Sequence, residues 1–155
     1  LGRNMKEVEI YTDGACSGNP GKGGWAAVLL YKGQVKEISG YDPETTNQRM
    51  EMQAVVEGLK ALKVKDWSIK VYTDSAYVVN AFEKGWIENW QRNGWVNSNK
   101  KPVANRDLWQ AMINQMHSNR VQIIKVPGHQ GVEWNERCDT LARQAIKDNS
   151  PQAAE

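Results

Sequence analysis

Two stretches of the sequence end alike. Val8 to Gly14 reads Val-Glu-Ile-Tyr-Thr-Asp-Gly, and Ile69 to Ser75 reads Ile-Lys-Val-Tyr-Thr-Asp-Ser. Each alternates apolar or β-branched residues with others, the period-two signature of a strand. Each closes on an aspartate and a small residue, where a strand gives way to a turn or helix. Laid side by side and parallel, such strands bring Asp13 and Asp74 out at one end of the sheet, where open α/β folds hold their ligands. Carboxylates that close repel one another, and a hard divalent cation such as Mg²⁺, often shared with a substrate's phosphates, is the usual means of keeping both ionised. Glu51 and Asp139 have related addresses, each early on an expected helix at the margin of its apolar face. Spacings of 38, 23 and 65 residues specify nothing by themselves, and a single acidic residue is ordinarily a cap or a solvated surface group. The twin Tyr-Thr-Asp ends together with a core-edge Glu51 give the cation-binding reading its weight.

The elements that must position these groups follow from periodicity. Gly14 to Gly24 is expected to be a turn-rich loop, and its glycines lack both the G-x-G-x-x-G spacing and the following helix of a dinucleotide site. Trp25–Tyr31 reads as a second, largely buried strand. Lys32-Gly33-Gln34 is a short turn and Val35–Tyr41 a third strand, completing an antiparallel meander. Residues 46–62 are expected to be helical, with Met52, Val55, Val56, Leu59 and Leu62 on the core face and Glu51 at its border. The strand ending at Asp74 leads to a helix capped by Ser75 and stopped at Gly85. Residues 86–102 lack clean periodicity and interleave Trp86, Trp90 and Trp95 with basic and amide side chains. Leu108, Trp109, Met112, Ile113 and Met116 mark another helix, and Val121–Val126 a strand. After the loop Pro127-Gly128-His129-Gln130-Gly131, Asn135 is expected to cap a last helix with Cys138, Leu141, Ala142 and Ala145 inward. The order β-β-β-α-β-α-loop-α-β-α implies an α/β fold, a mixed five-stranded sheet flanked by helices.

The chain has 155 residues, with 40% hydrophobic and 25% charged residues, as expected of one globular domain with a sizeable core. We place that domain at residues 5–147, with 1–4 as a leading remnant ahead of Met5 and 148–155 as a flexible tail. No apolar run reaches the roughly 18–20 residues of a membrane span, so no membrane partner is expected. Cys16 and Cys138 form no metal-ligand cluster; a bridge between them stays open on sequence grounds, but two thiols read more simply as cytoplasmic. The net charge of +2 is unevenly spread. Residues 84–106 carry Lys84, Arg92, Lys100, Lys101 and Arg106 against Glu88, a net of +4, which leaves −2 for the remainder. A basic segment beside an acidic remainder suggests one face for a polyanion and another place for a cation.

The sequence resembles ribonuclease H of the bacterial type I. Residues 11–21 (YTDGACSGNPG), 46–52 (TNQRMEM), 72–75 (YTDS), 126–129 (VPGH) and 135–139 (NERCD) resemble the motifs of that family, in its order, across nearly the whole span from Met5 to Ala145. Five short motifs in order are far more specific than any one. The resemblance implies hydrolysis of the RNA strand of an RNA–DNA hybrid, leaving 5′-phosphate and 3′-hydroxyl ends. It assigns Asp13, Glu51, Asp74 and Asp139 to two Mg²⁺ ions, for which Mn²⁺ should substitute. It assigns His129, otherwise readable as an idle surface histidine, to proton transfer or product departure.

The resemblance also distributes substrate contacts. RNA-strand contacts fall to the loop Cys16–Asn19, including Gly18, and to Asn47, Gln48 and Glu51. Amide side chains both donate to and accept from a 2′-hydroxyl, the group that distinguishes RNA from DNA. Thr46 and Asn105 resemble the family's phosphate pocket for the DNA strand, with Trp86 beside the deoxyriboses. Trp25, Trp67 and Trp109 are assigned to the core. Segment 84–106, with Lys100 and Lys101, resembles a thinned hybrid-binding protrusion. Gln91, Asn93, Val96, Asn97 and Ala104 stand where better-known bacterial members tend to carry lysine or arginine, and Ala76 stands where Gln is usual. Weaker hybrid affinity with intact chemistry is the expectation. A monomer is expected, since no feature marks an obligate dimer. Two other readings remain: a DNA-acting nuclease on the same sheet, against which Asn19, Asn47 and Gln48 argue, and a hybrid-binding module without catalysis, for which a repulsive carboxylate cluster would serve no purpose.

Overall fold

The computed structural model describes residues 6–63, 66–117, 119–126 and 133–149. β1 (Lys6–Gly18), β2 (Gly21–Tyr31) and β3 (Gln34–Thr45) form the expected meander. They are followed by α1 (Asn47–Lys60), β4 (Trp67–Thr73), α2 (Ala76–Glu83), α3 (Trp86–Asn93), α4 (Arg106–Met116), β5 (Arg120–Lys125) and α5 (Glu133–Asn149). The five strands lie in the order β3-β2-β1-β4-β5, with β4 parallel to both β1 and β5.

The apolar alternation sorts the two faces. Val8 and Ile10 of β1, Ala27 and Leu29 of β2 and Trp67, Ile69 and Val71 of β4 meet Met52, Val55, Val56 and Leu59 of α1 and Leu108, Trp109 and Met112 of α4. Ala26 and Val28 point the other way, onto Cys138 and Ala142 of α5. β2 is thus covered on both faces, which explains its unbroken Ala-Ala-Val-Leu-Leu run. Cys138, Ala142 and Ala145 are buried and Leu141 is half-buried, as the helical period predicts.

Several expectations need correction. The stretch from Gly14 to Gly24 is mostly strand: β1 and β2 stay paired through Cys16↔Gly23 and Gly18↔Gly21, leaving Asn19 and Pro20 as the turn. Glycine and serine are poor strand formers by propensity, but here their small size lets helices close on the sheet from both sides. A Cβ at Gly24 would collide with the Ala142 carbonyl of α5, and one at Gly14 with the backbone of Met50 and Glu51 on α1. The supposedly aperiodic 86–102 contains α3, set off by Gly85 and Gly94 at φ of 72° and 81°. Two turns are too short to declare a period, and Ile87 is the helix's one buried residue. A tight loop follows, closed by the Val96↔Pro102 bridge and by the Val103 N–H donating to the Trp95 carbonyl at 2.9 Å.

Asn135 is not a cap. α5 begins at Glu133, and Asn135 is buried within its first turn. α5 also continues through Asp148 and Asn149, the first two residues of the expected tail. There Gln144 donates to Asp148 at 2.6 Å and Asn149 to the Ala145 carbonyl at 2.7 Å, extending the last turn. Trp67 and Trp109 are core residues, whereas Trp25 is only half-buried, over Gly40 of β3.

The approach of α1 to Gly14 has a direct test. Gly14→Ala should lower stability by about 1–3 kcal/mol, the usual penalty for overpacking, because the colliding atoms are main chain and cannot rotate away. Urea denaturation at fixed pH measures it; an unchanged midpoint would mean that α1 shifts freely.

Candidate active site

β1 and β4 keep parallel register up to Tyr11↔Tyr72. The same offset carried two residues further sets Asp13 level with Asp74. β4 stops at Thr73, whereas Asp13 stays paired with Ala26 of β2. The cleft opens where β1 loses its β4 neighbour. The last shared step is tightly held: the Tyr11 and Tyr72 rings stack at 4.6 Å, and Thr12 Oγ1 donates to the Tyr72 carbonyl at 3.1 Å. Glu51 arrives from α1, brought close by the bare Gly14. Asp139 arrives from α5, one residue after Cys138, whose thiol donates to the Tyr11 carbonyl at 3.3 Å.

Asp13, Glu51 and Asp74 each offer an oxygen within 4.8 Å of the others'. Asp13 is 2% exposed and Glu51 6% exposed. Gly14 donates its N–H to Asp13 Oδ1 at 2.9 Å, while Asp13 Oδ2 and Glu51 Oε1 have no hydrogen-bond partner among the described residues. Burial first, and then the charges of Asp74 and Asp139, push the Asp13 carboxyl up to about 8. Burial, with Asp13 and Asp74 behind it, drives Glu51 well above the ordinary carboxylate range. Buried, acceptor-only oxygens facing one another without donors fit a hard divalent cation, which supplies the charge they lack. Asp139 stands at the rim, its side chain 23% exposed, and accepts from Arg143 Nε at 3.1 Å.

All four carboxylates line one open cleft of about 590 Å³, together with Cys16, Asn47, Arg143 and Lys147 among others. Asn19 reaches it indirectly, its Oδ1 accepting from the Asn47 N–H at 3.1 Å. Cys16 is half-buried and its thiol donates to the Thr45 carbonyl at 3.5 Å. Gly18 forms the adjoining turn at φ 82°, and Gln48 sits half-buried in the first turn of α1. Thr46 caps α1, its Oγ1 accepting from the Arg49 N–H at 3.1 Å. Asn105 lies at the start of α4 and meets α1 through Arg49. Trp86 lies apart, beside Trp90, Arg92, Asn93 and Asn97 in a second groove of about 450 Å³. Lys100 and Lys101 project from the loop after α3 and are exposed. His129 lies outside the described residues.

Three basic residues escaped the sequence reading. Arg143 and Lys147 follow Asp139 at i+4 and i+8, a spacing that puts all three on one side of α5 and could have revealed them. Arg49 lies three residues after the cap Thr46, inside a stretch already singled out for its neighbours.

Residues 5–147 match the family model for RNase H. The chain belongs to the RNase H family. Ribonuclease H of Syntrophomonas wolfei is 64% identical over 143 residues, covering 92% of this chain and 98% of the relative. Ribonuclease H of a Thermoanaerobacter species (strain X514) is 56% identical over 152 residues, covering 98% and 97%. Among solved structures, LC9-RNase H1, a type 1 RNase H with the type 2 active-site motif, superposes with a TM-score of 0.84 at 26% identity, over 97% of this chain and 76% of its own. LC11-RNase H1, solved in complex with an RNA/DNA hybrid, gives 0.70 at 26% identity, over 91% and 97%. The RNase H fold and family thus agree with the strand order and the acidic cluster.

The raised Asp13 carboxyl ties stability to pH when no cation is present. Its proton-linked stability is full below about pH 4 and is lost as the pH climbs through the folded value of about 8. Asp13→Asn cannot ionise. In EDTA the variant should therefore gain on the wild type between pH 6 and pH 8.5, by about 1–3 kcal/mol. Urea denaturation at the two pH values measures this, and parallel behaviour of the two proteins would contradict it.

Proposed function

We propose that this chain is a metal-dependent endonuclease that hydrolyses the RNA strand of RNA–DNA hybrids, leaving 5′-phosphate and 3′-hydroxyl ends. Family membership supports this, and the observation that carries it is the trio of crowded carboxylates opening into a cleft edged by the Asn47 amide. Asp13, Glu51, Asp74 and Asp139 are the proposed ligands of two Mg²⁺ ions, with Mn²⁺ as a substitute. Bound there, the ions supply activation of a water and stabilisation of the departing 3′ oxygen.

The remaining work belongs to the chain. Asn47, Gln48 and the Cys16–Asn19 end of β1 and its turn are assigned the reading of a ribose 2′-hydroxyl, since an amide both donates and accepts. Asn47 is held by the Asn19 contact, which couples the turn between β1 and β2 to the first turn of α1. Trp86 offers an apolar face to the deoxyribose side, and Lys100 and Lys101 offer charge to the backbone. His129 is assigned proton transfer on the leaving side. A hybrid is the partner bound by LC11-RNase H1, which supports the same class here. Residues 5–147 are read as one domain, and the chain as a monomer. Two free thiols suit the reducing cytoplasm. Among the described residues no helix is long and apolar enough to cross a membrane.

The test uses a short hybrid labelled on its RNA strand, with Mg²⁺, beside duplex DNA and duplex RNA. Cleavage of the hybrid's RNA alone, abolished by EDTA and by Asp13→Asn, is the expected result. His129→Ala should slow it by roughly a hundredfold, the usual worth of a positioned proton carrier. Cleavage of duplex DNA would overturn the ribose-reading assignment, and tight binding without cleavage would overturn the enzyme.

The protrusion has a separate prediction. Replacing Lys100 and Lys101 together by Ala should weaken hybrid binding and flatten the slope of log K against log salt by at most about 1.8. A salt titration of the Asp13→Asn protein with and without the two changes measures it. An unchanged slope would remove both lysines from the interface.

A further inference from the structure

Asn105 sits at the N-terminal cap of α4, where an asparagine ordinarily turns its side-chain oxygen onto its own helix. Here it does not: its backbone is left-handed at φ 61°, and its side chain makes no capping bond. Its Oδ1 instead accepts from Arg49 NH1 of α1 at 3.1 Å. The same guanidinium is locked by Asp107, with NH1 to Oδ1 at 3.0 Å and NH2 to Oδ2 at 2.7 Å. Arg49's own backbone N–H donates to Thr46 Oγ1. Arg49's main chain therefore meets the Thr46 oxygen as an ordinary cap bond, and its guanidinium alone meets the Asn105 oxygen.

A guanidinium carries donors and no acceptor, so the amide facing it must present oxygen. That fixes the Asn105 amide with its two Nδ2 hydrogens turned away from Arg49. The Thr46 oxygen, engaged as an acceptor, likewise keeps its hydroxyl hydrogen to give. Both groups thus have hydrogens free to donate, which suits an anion. The Arg49 charge, meanwhile, is paired with Asp107.

We infer that Arg49, braced by Asp107, is a positioning residue that fixes the Asn105 amide with its Nδ2 hydrogens free for one phosphate of the DNA strand, in the pocket it shares with Thr46. The inference rests on the reading of Thr46 and Asn105 as DNA-strand contacts and adds what makes them selective for an anion. It also accounts for an exposed α1–α4 ion pair that would otherwise contribute little.

The test compares kcat and KM on hybrids that each carry one neutral methylphosphonate at a different DNA-strand position. In the wild type one position should cost about tenfold in kcat/KM, the worth of a hydrogen bond to a charged group. Arg49→Met should lower kcat/KM on the unmodified hybrid to about that level, through KM with kcat held, and the same methylphosphonate should then cost nothing more. Penalties at other positions should persist. Asp107→Asn should weaken binding in the same position-specific way. Retention of the full penalty in Arg49→Met overturns the inference, as does a collapse of kcat or of every positional penalty, which would mark a merely structural residue. Tighter binding by Asp107→Asn would also overturn it, since a freed guanidinium would then be touching phosphate itself. If no position is penalised in the wild type, the pocket fails while the nuclease assignment stands.

Discussion

Asp13, Glu51 and Asp74 bring oxygens within 4.8 Å of one another where burial keeps water scarce, and the rest of the architecture can be read from that crowding. A parallel β1–β4 pair levels the two aspartates, a glycine without a side chain admits α1, and α5 delivers Asp139 across the opposite face. Each device shortens a distance between like charges. Folding alone gains nothing from such proximity, and in the absence of a cation the cluster relieves it by retaining protons. Contacts that hold the arrangement surround it at one remove: the stacked tyrosines, the Thr12 hydroxyl and the Cys138 thiol on the Tyr11 carbonyl. The site is a strained feature supported by an unstrained frame.

Much of this was legible because it follows local rules. The meander, the parallel return and the amphipathic helices are each carried by a period of two or 3.6 in the apolar residues. Glu51 drew notice because a carboxylate bordered a buried stripe, and its near-complete burial explains why. Less legible were features whose cause is tertiary. The Gly14–Gly24 stretch is strand because two helices need its small side chains, a requirement that no propensity records. α3 is too short to show a period, and Asn135 is buried by contacts that a capping rule does not anticipate. Arg49 was overlooked because its partners, Asn105 and Asp107, lie more than fifty residues away in sequence.

The surface around the two grooves divides by chemistry. The carboxylate cleft is edged by the Asn47 amide, with Thr46 capping the same helix and Asn105 meeting it through Arg49. Farther out, Trp86 and Trp90 form an apolar groove with Arg92 and amides beside it, and Lys100 and Lys101 stand exposed beyond. Arg143 and Lys147 place positive charge at the rim of the cleft, on the same side of α5 as Asp139.

The central claim is that these carboxylates cannot all ionise until a cation joins them, and proton counting tests it most directly. Mg²⁺ or Mn²⁺ is titrated into the protein at pH 7 by calorimetry in buffers of different ionisation enthalpy. Asp13, with its carboxyl near 8, is mostly protonated at that pH and Glu51 is raised as well, so cation binding should release at least about one proton and the apparent heat should vary with buffer accordingly. Binding whose heat is the same in every buffer would mean that the cluster was already fully ionised, and would contradict the account.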